Sequence, residues 1–311
     1  MQYYHNSKAI QLSATAVACG KFDGLHKGHQ ALLRQLESYK KQGLKSAIFT
    51  FDASIARILP EHSGFICTGP ERRFFLERMG MDVLAEYAFD ETLAGMDPEQ
   101  FVREILVEQM GAQAIVVGED FRFGYRRQGD ISLLERFQNH YHYQLKVVEK
   151  QADAQGKISS SRIREQLLAG RIEAAQEMLG HPYFILGEVI HGRQLGRTIG
   201  MPTANLAVPG DKLLPPNGVY VSRNYIGDRE EMYYGITNIG RKPTVNGESL
   251  GVETCLFDFK RDIYGENMRV ELLTFVRPEQ KFADVEHLSR QMHRDACYGK
   301  EYVKKCRERN A

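Results

Sequence analysis

The 311-residue chain has no excess of either charge: 41 Lys and Arg stand against 40 Asp and Glu, a formal net charge of +1. A protein that grips nucleic acid through its phosphates would be more basic, so no nucleic-acid partner is expected. Cysteine is sparse. The five residues Cys19, Cys67, Cys255, Cys297 and Cys306 are odd in number and form no C-x-x-C, which excludes a disulfide framework and fits reduced thiols in a cytoplasmic protein. Apolar runs never approach the ~18 residues of a membrane span. The opening Met1-Gln2-Tyr3-Tyr4-His5 lacks the basic region and apolar stretch of a secretion signal. A soluble protein with no membrane partner is therefore expected. Internal repeats and low-complexity segments are absent as well, and 42% apolar with 26% charged residues is ordinary globular composition. At roughly 100–200 residues per domain, two domains are expected.

The two halves follow different patterns. In the first, short apolar runs (Ala14–Cys19, Ser46–Phe51, Val83–Phe89, Ala114–Gly118, Tyr143–Glu149) alternate with helical periodicity (His29–Lys41, Glu71–Met79, Pro98–Met110, Ile131–His140). Such alternation predicts β-α-β crossovers and a doubly wound parallel sheet, an α/β fold whose ligands bind beyond the carboxyl ends of the strands. Two further helices, Ser160–Ala169 and Ile172–Leu179, each end at a glycine. From His181 onward come strands and Gly/Pro turns: Phe184–His191, Val219–Ile226, Met232–Asn238, Val252–Phe259 and Met268–Phe275. These predict an antiparallel β-barrel or sandwich, followed by terminal helices from Phe282. The boundary falls at Gly180-His181-Pro182, giving domains 1–180 and 181–311. The doublets Lys40-Lys41, Arg72-Arg73 and Lys304-Lys305 are taken as solvated surface.

The strongest local signal is Gly20-Lys21-Phe22-Asp23-Gly24-Leu25-His26-Lys27-Gly28-His29, which follows the first predicted strand and opens a helix. Gly20 and Gly24 permit a sharp turn, and Gly28 would let a bulky anion approach the chain. The helix N-terminus offers unpaired N–H groups, while His26 and His29, three apart, can face one side and donate to phosphate oxygens. A metal reading of the same H-x-x-H lacks the glutamate of H-E-x-x-H and a nearby third ligand. Ser159, Ser160 and Ser161, with Arg162 and Arg164, form a second helix start able to hold an anion, although an ordinary cap would use the same residues. Gly124 to Ile131 has the glycine spacing of a P-loop, but Asp130 and Ile131 replace its Lys and Ser/Thr, so no Walker A motif is present.

In the second half Gly187, Gly192, Gly196 and Gly200 recur around Arg193 and Arg197 and lead into Met201-Pro202-Thr203-Ala204-Asn205. This spacing suggests a loop able to close over phosphates. Thr203 and Asn205 face one way in extended chain, and their side-chain oxygens suit a Mg²⁺ carried by a nucleotide; a turn beside a hairpin would use the same pair.

Gly20 to Gln30 resembles the extended H-x-G-H motif of the bacterial bifunctional riboflavin kinase/FAD synthetase family. Gly118-Glu119-Asp120-Phe121-Arg122-Phe123-Gly124 and Ile158-Ser159-Ser160-Ser161-Arg162-Ile163-Arg164 resemble two more of its motifs. Pro202-Thr203-Ala204-Asn205 resembles the riboflavin kinase signature, and Gly218-Val219-Tyr220, Ile239 to Thr244, Glu253, Tyr264-Gly265, Arg277 and Phe282 continue in family order. The resemblance spans nearly the whole chain. It implies an N-terminal nucleotidylyltransferase domain that makes FAD from FMN and ATP, and a C-terminal riboflavin kinase domain that makes FMN from riboflavin and ATP.

It further implies that Glu253 accepts the riboflavin hydroxyl proton, that His26 and His29 stabilise ATP phosphate charge within the Gly20-Phe22-Asp23-Gly24-Gly28 loop, and that Ser160, Arg162 and Arg164 hold outer phosphates. Gly192, Gly196 and Gly200 would contact ATP in the kinase half, with Thr203 and Asn205 on Mg²⁺. The chain departs from the family after the second strand. Thr50-Phe51-Asp52-Ala53-Ser54-Ile55 replaces T-F-E-P-H-P, and Lys21 stands where many relatives have asparagine. The alternative is therefore a riboflavin kinase whose adenylyltransferase half is weak or inactive. A different nucleotidyltransferase, or a flavin- or RNA-binding regulator, shares single motifs but not the series.

Overall fold

The computed structural model describes residues 1–6, 10–52, 64–192, 195–227, 229–244 and 247–309. The chain forms two compact units, Met1–Ser160 and Ser161–Ala311.

The first unit is built on six parallel strands: β1 (Gln2–His5), β2 (Thr15–Cys19), β3 (Lys45–Phe51), β4 (Val83–Tyr87), β5 (Ala112–Gly118) and β6 (Gln144–Val148), in the order β1-β4-β3-β2-β5-β6. Every residue of β2 is buried, which is why its Thr-Ala-Val-Ala-Cys run carries no alternation: a central parallel strand is covered on both faces. On one face Ala16, Ala18, Ile48, Leu84 and Val116 pack with Leu33 and Leu36 of helix α1 (Lys27–Lys40). On the other Val17, Phe49, Ala85, Ile115 and Val117 pack with Phe101, Ile105 and Leu106. These last belong to a helical run that begins at Pro98–Gln100 and continues as a π-helix over Phe101–Gln109. Helix α2 (Gly69–Arg78) joins β3 to β4 in sequence, and a further helix spans Ile131–Tyr141.

Strand β2 is first in its βαβ series yet central in the sheet, with its successors running outward on either side. The loop after β2 therefore opens at the point where strand order reverses, where α/β sheets bind ligands. Strand β1 was not foreseen. Its Gln-Tyr-Tyr-His sequence is mostly exposed and pairs only at the sheet edge, against β4, so no buried pattern announces it.

Helix α3 (Ser160–Leu168) starts on the last residue of the first unit and runs into the second, which continues with α4 (Ile172–Leu179), closed by Gly180 in the left-handed region, φ 76°. Six strands then close an antiparallel barrel: β7 (Phe184–Ile190), β8 (Ala204–Leu206), β9 (Gly218–Ile226), β10 (Glu231–Thr244), β11 (Gly247–Leu256) and β12 (Asn267–Pro278), in the order β8-β11-β10-β9-β12-β7. Closure runs through β8, three residues long, which pairs with both β7 and β11. A run this short gives no period to read. Within the barrel Ser222, Asn224, Thr237 and Thr254 are fully buried and linked side chain to side chain at 2.8–3.0 Å, satisfying hydroxyls that burial would otherwise penalise. Helix α5 (Val285–Arg309) lies against the barrel. Gly299 makes this possible, since a Cβ there would sit 2.8 Å from Ile236 and Phe257. Arg277 of β12 clamps its Asp295 through Nε at 3.0 Å and Nη2 at 2.7 Å.

Candidate active sites

In the first unit the segment between β2 and α1 is held in an uncommon backbone. Phe22, Gly24 and Leu25 all have positive φ (49°, 83° and 45°). For Phe22 and Leu25 this is strained, and complete burial of both side chains holds it in place.

His26 is the N-cap of α1. Its Nδ1 accepts from Gly28 N at 3.1 Å and His29 N at 3.4 Å, so in the neutral ring the proton sits on Nε2. The two imidazoles stack, ring centroids 3.7 Å apart. A Cβ at residue 28 would lie 3.0 Å from His26 Cε1; Gly28 makes room for the capping ring, a role beyond the anion approach expected of it. Burial first, then the charges of His26 and Arg72, holds the His29 imidazole well below its usual pKa, so the ring is neutral at pH 7. His29 Nδ1 is buried with no hydrogen-bond partner among the described residues.

Around this pair Asp23 turns inward. Its carboxylate accepts from Cys67 N at 3.0 Å, and its carbonyl accepts from Ser160 Oγ at 2.9 Å. Ser160 thus meets the glycine-histidine loop within the first unit. Gly20, Phe22, Asp23, Gly24, His26, Gly28, His29 and Ser160 form one cluster. Arg162 and Arg164 fall in the second compact unit, both half-buried on α3. Ala53-Ser54-Ile55, where the family pattern is lost, lie outside the described residues. Asp130, which ruled out a P-loop, caps the helix Ile131–Tyr141 through Leu133 N at 3.0 Å.

One expectation is corrected. Arg72 is not solvated surface but 4% exposed, beneath the loop, with its guanidinium on Glu86. Its neighbourhood was legible in part: Thr68-x-x-Glu71 is a capping box that starts α2 at Gly69, two residues before the predicted start, which puts residue 72 in the first turn.

The second site lies on the barrel wall. Asn205 of β8 pairs in register with Glu253 of β11. Thr203 Oγ1 donates to Glu253 Oε1, and Asn205 Nδ2 donates to the same oxygen at 3.5 Å. Thr203 and Asn205 line a cavity of about 250 Å³ with Pro202, Arg197, Phe259 and Tyr264. His191 stacks on Tyr264 at 3.7 Å between ring centroids. Gly192 and Gly196 serve close packing: a Cβ at 192 would lie 2.2 Å from Asn205 Nδ2, and one at 196 would lie 2.2 Å from Met201 O. Gly200 has φ 74°. Arg193 lies outside the described residues. Among the described residues no group of three His, Cys, Asp or Glu could hold a metal by itself; the oxygens offered here are a hydroxyl and a carboxamide, donors that suit a hard cation arriving with a nucleotide.

The comparisons agree with this division. Residues 8–162 match the family model described as FAD synthetase, and residues 179–303 the one described as riboflavin kinase. The chain is 32% identical over 301 residues to the bifunctional riboflavin kinase/FMN adenylyltransferase of Escherichia coli K12, covering 96% of each chain. It is 34% identical to the protein of that name from Listeria monocytogenes, over 90% of this chain and 89% of that one. The chain belongs to this bifunctional family. A solved structure described as a macrolide-efflux protein from Streptococcus pneumoniae has the same fold, with a TM-score of 0.82 at 33% identity, covering 95% of this chain and 97% of that chain. No described helix of this family member is long and apolar enough to cross a membrane.

Proposed function

We propose that this family member phosphorylates riboflavin to FMN and adenylylates FMN to FAD, using ATP with Mg²⁺ at two separate sites, in domains 1–180 and 181–311, as a cytoplasmic enzyme. One observation carries it: each compact unit holds its own cluster suited to a nucleotide, one at a helix N-terminus and one on a barrel wall.

In the kinase half, the riboflavin 5′-hydroxyl attacks the γ-phosphorus of ATP and ADP leaves. Glu253 orients that hydroxyl and takes its proton, while Thr203 and Asn205, both bonded to Glu253, hold the Mg²⁺ of the nucleotide. In the adenylyltransferase half, an FMN phosphate oxygen attacks the α-phosphorus of ATP and pyrophosphate leaves. No nucleophilic side chain is needed. His26, its ring fixed by the bonds its Nδ1 accepts from Gly28 N and His29 N and with its proton on Nε2, donates to a phosphate oxygen beside the neutral His29. Ser160, bonded to the loop through Asp23 O, acts on the outer phosphates.

Purified protein incubated with riboflavin, ATP and Mg²⁺, with the flavins separated by chromatography, is expected to yield FMN and then FAD. FMN that accumulates without FAD at saturating ATP would leave the kinase alone active. Neither product would refute the whole assignment.

A further inference from the structure

Arg72 is buried where a cation is costly. It stands on the first turn of α2, and Glu86 of β4 is 2% exposed. Its Nε donates to Glu86 Oε1 at 3.0 Å and Nη2 donates to the same oxygen. The remaining bonds are more informative. Nη2 reaches Phe51 O at 2.9 Å and Nη1 reaches Lys21 O at 3.2 Å. Phe51 ends β3, and Lys21 lies two residues past β2, so one guanidinium ties the ends of these two neighbouring strands together. Thr50 Oγ1 adds a second donor to Lys21 O at 3.2 Å. Glu86 is itself fixed, since Tyr3 OH donates to its Oε2 at 2.6 Å and Arg73 stands 3.7 Å from that oxygen. A buried ion pair of this kind contributes little net stability compared with apolar packing. What it supplies is geometry that only a planar, forked cation can make.

We infer that Arg72 is a positioning residue for adenylyl transfer, locking the loop after β2 to the end of β3 so that the His26–His29 cradle is held in its phosphate-binding form. The inference rests on the adenylylation assigned above. Its charge has a second consequence. Burial is the first reason that the His29 ring holds no proton; the titratable or charged groups facing it, His26 and Arg72, act in the same direction, so Arg72 helps the cradle keep one neutral imidazole at the pH of the reaction.

Arg72→Lys keeps the charge but cannot reach a carboxylate and two carbonyls as a planar fork; Arg72→Gln removes the charge too. FMN adenylylation, riboflavin phosphorylation and the thermal midpoint are measured for both variants, and the His29 imidazole is titrated by NMR in isotope-labelled protein. The expected result is a fall in adenylylation kcat of about 10²-fold in both variants, as for a misplacement near 1 Å, with the KM for ATP changed far less and phosphorylation unchanged. The His29 titration should move up in Arg72→Gln and much less in Arg72→Lys. Wild-type kcat with an unmoved titration would overturn the proposal. So would parallel loss of both activities and of thermal stability, which marks a purely structural arginine. If the wild-type protein makes no FAD, the adenylylation assignment fails, while the NMR titration still tests the hold of Arg72 on His29.

Discussion

The two nucleotide sites solve the same problem with different parts. The first uses backbone: three left-handed residues, a helix N-terminus capped by an imidazole, and a second imidazole stacked on the cap. The second uses side chains on paired strands, with one carboxylate gathering a hydroxyl and an amide across a β8–β11 register. In the first, charge comes from dipoles and a buried arginine, and His29 is kept neutral. In the second, the Glu253 carboxylate accepts from Thr203 and Asn205, whose oxygens suit a cation brought by a nucleotide. A site for attack on the α-phosphorus needs donors around a spreading negative charge, whereas a site for deprotonating a hydroxyl needs a base.

The largest effects should separate the two sites outright. Glu253→Gln keeps the acceptor but not the base, and riboflavin phosphorylation should fall by about 10²–10⁴-fold while FMN adenylylation stays intact. His29→Ala should do the converse, with adenylylation down by about 10²–10³-fold. Loss of both activities in either variant would dissolve the comparison.

Next comes a test of whether the second site depends on its own helix. Asp295 is 4% exposed and paired with Arg277. Arg277→Met leaves a buried carboxylate without its cation, which should cost about 3–5 kcal/mol. Urea unfolding followed by probes in each unit should show the barrel transition shift while that of the parallel sheet does not. A smaller effect is expected for Gly192→Ala, whose Cβ would displace the Asn205 amide; phosphorylation should slow by about 10²-fold with adenylylation unaffected. A normal kinase rate would mean that the Asn205–Glu253 contact is not needed.

The contrast also explains what the sequence disclosed. Helix α4 was read residue for residue, because amphipathic periodicity and a closing glycine are local signals. The cradle was legible because its chemistry lies in ten consecutive residues. Strand β8 was recognised as a motif but not as a strand: its three residues act only through partners some 15 and 48 positions away, Ile190 and Glu253. Arg72 was missed for the same reason. A doublet of arginines looks like surface until the fold brings Glu86, Lys21 and Phe51 to it. Local chemistry is written in the chain, and support from distant residues is not.

The smallest effect sharpens the claim that the first site keeps its histidine neutral. In the unfolded chain His29 titrates near about 6.5, and in the folded protein well below that. Above pH 6.5 both states are neutral there and the residue leaves stability independent of pH. As pH falls through 6.5 the unfolded chain takes up a proton that the folded protein refuses, so the free energy of unfolding drops, by at most about 1.4 kcal/mol per pH unit, until the folded-state pKa is reached. His29→Asn removes this titration. Urea unfolding of the first unit at pH 7.5, 6.5 and 5.5 should therefore show a shallower acid loss in the variant than in the wild type; an identical slope would mean that the native ring takes up the proton as readily as the unfolded one, and the first site would then carry charged, not neutral, imidazole.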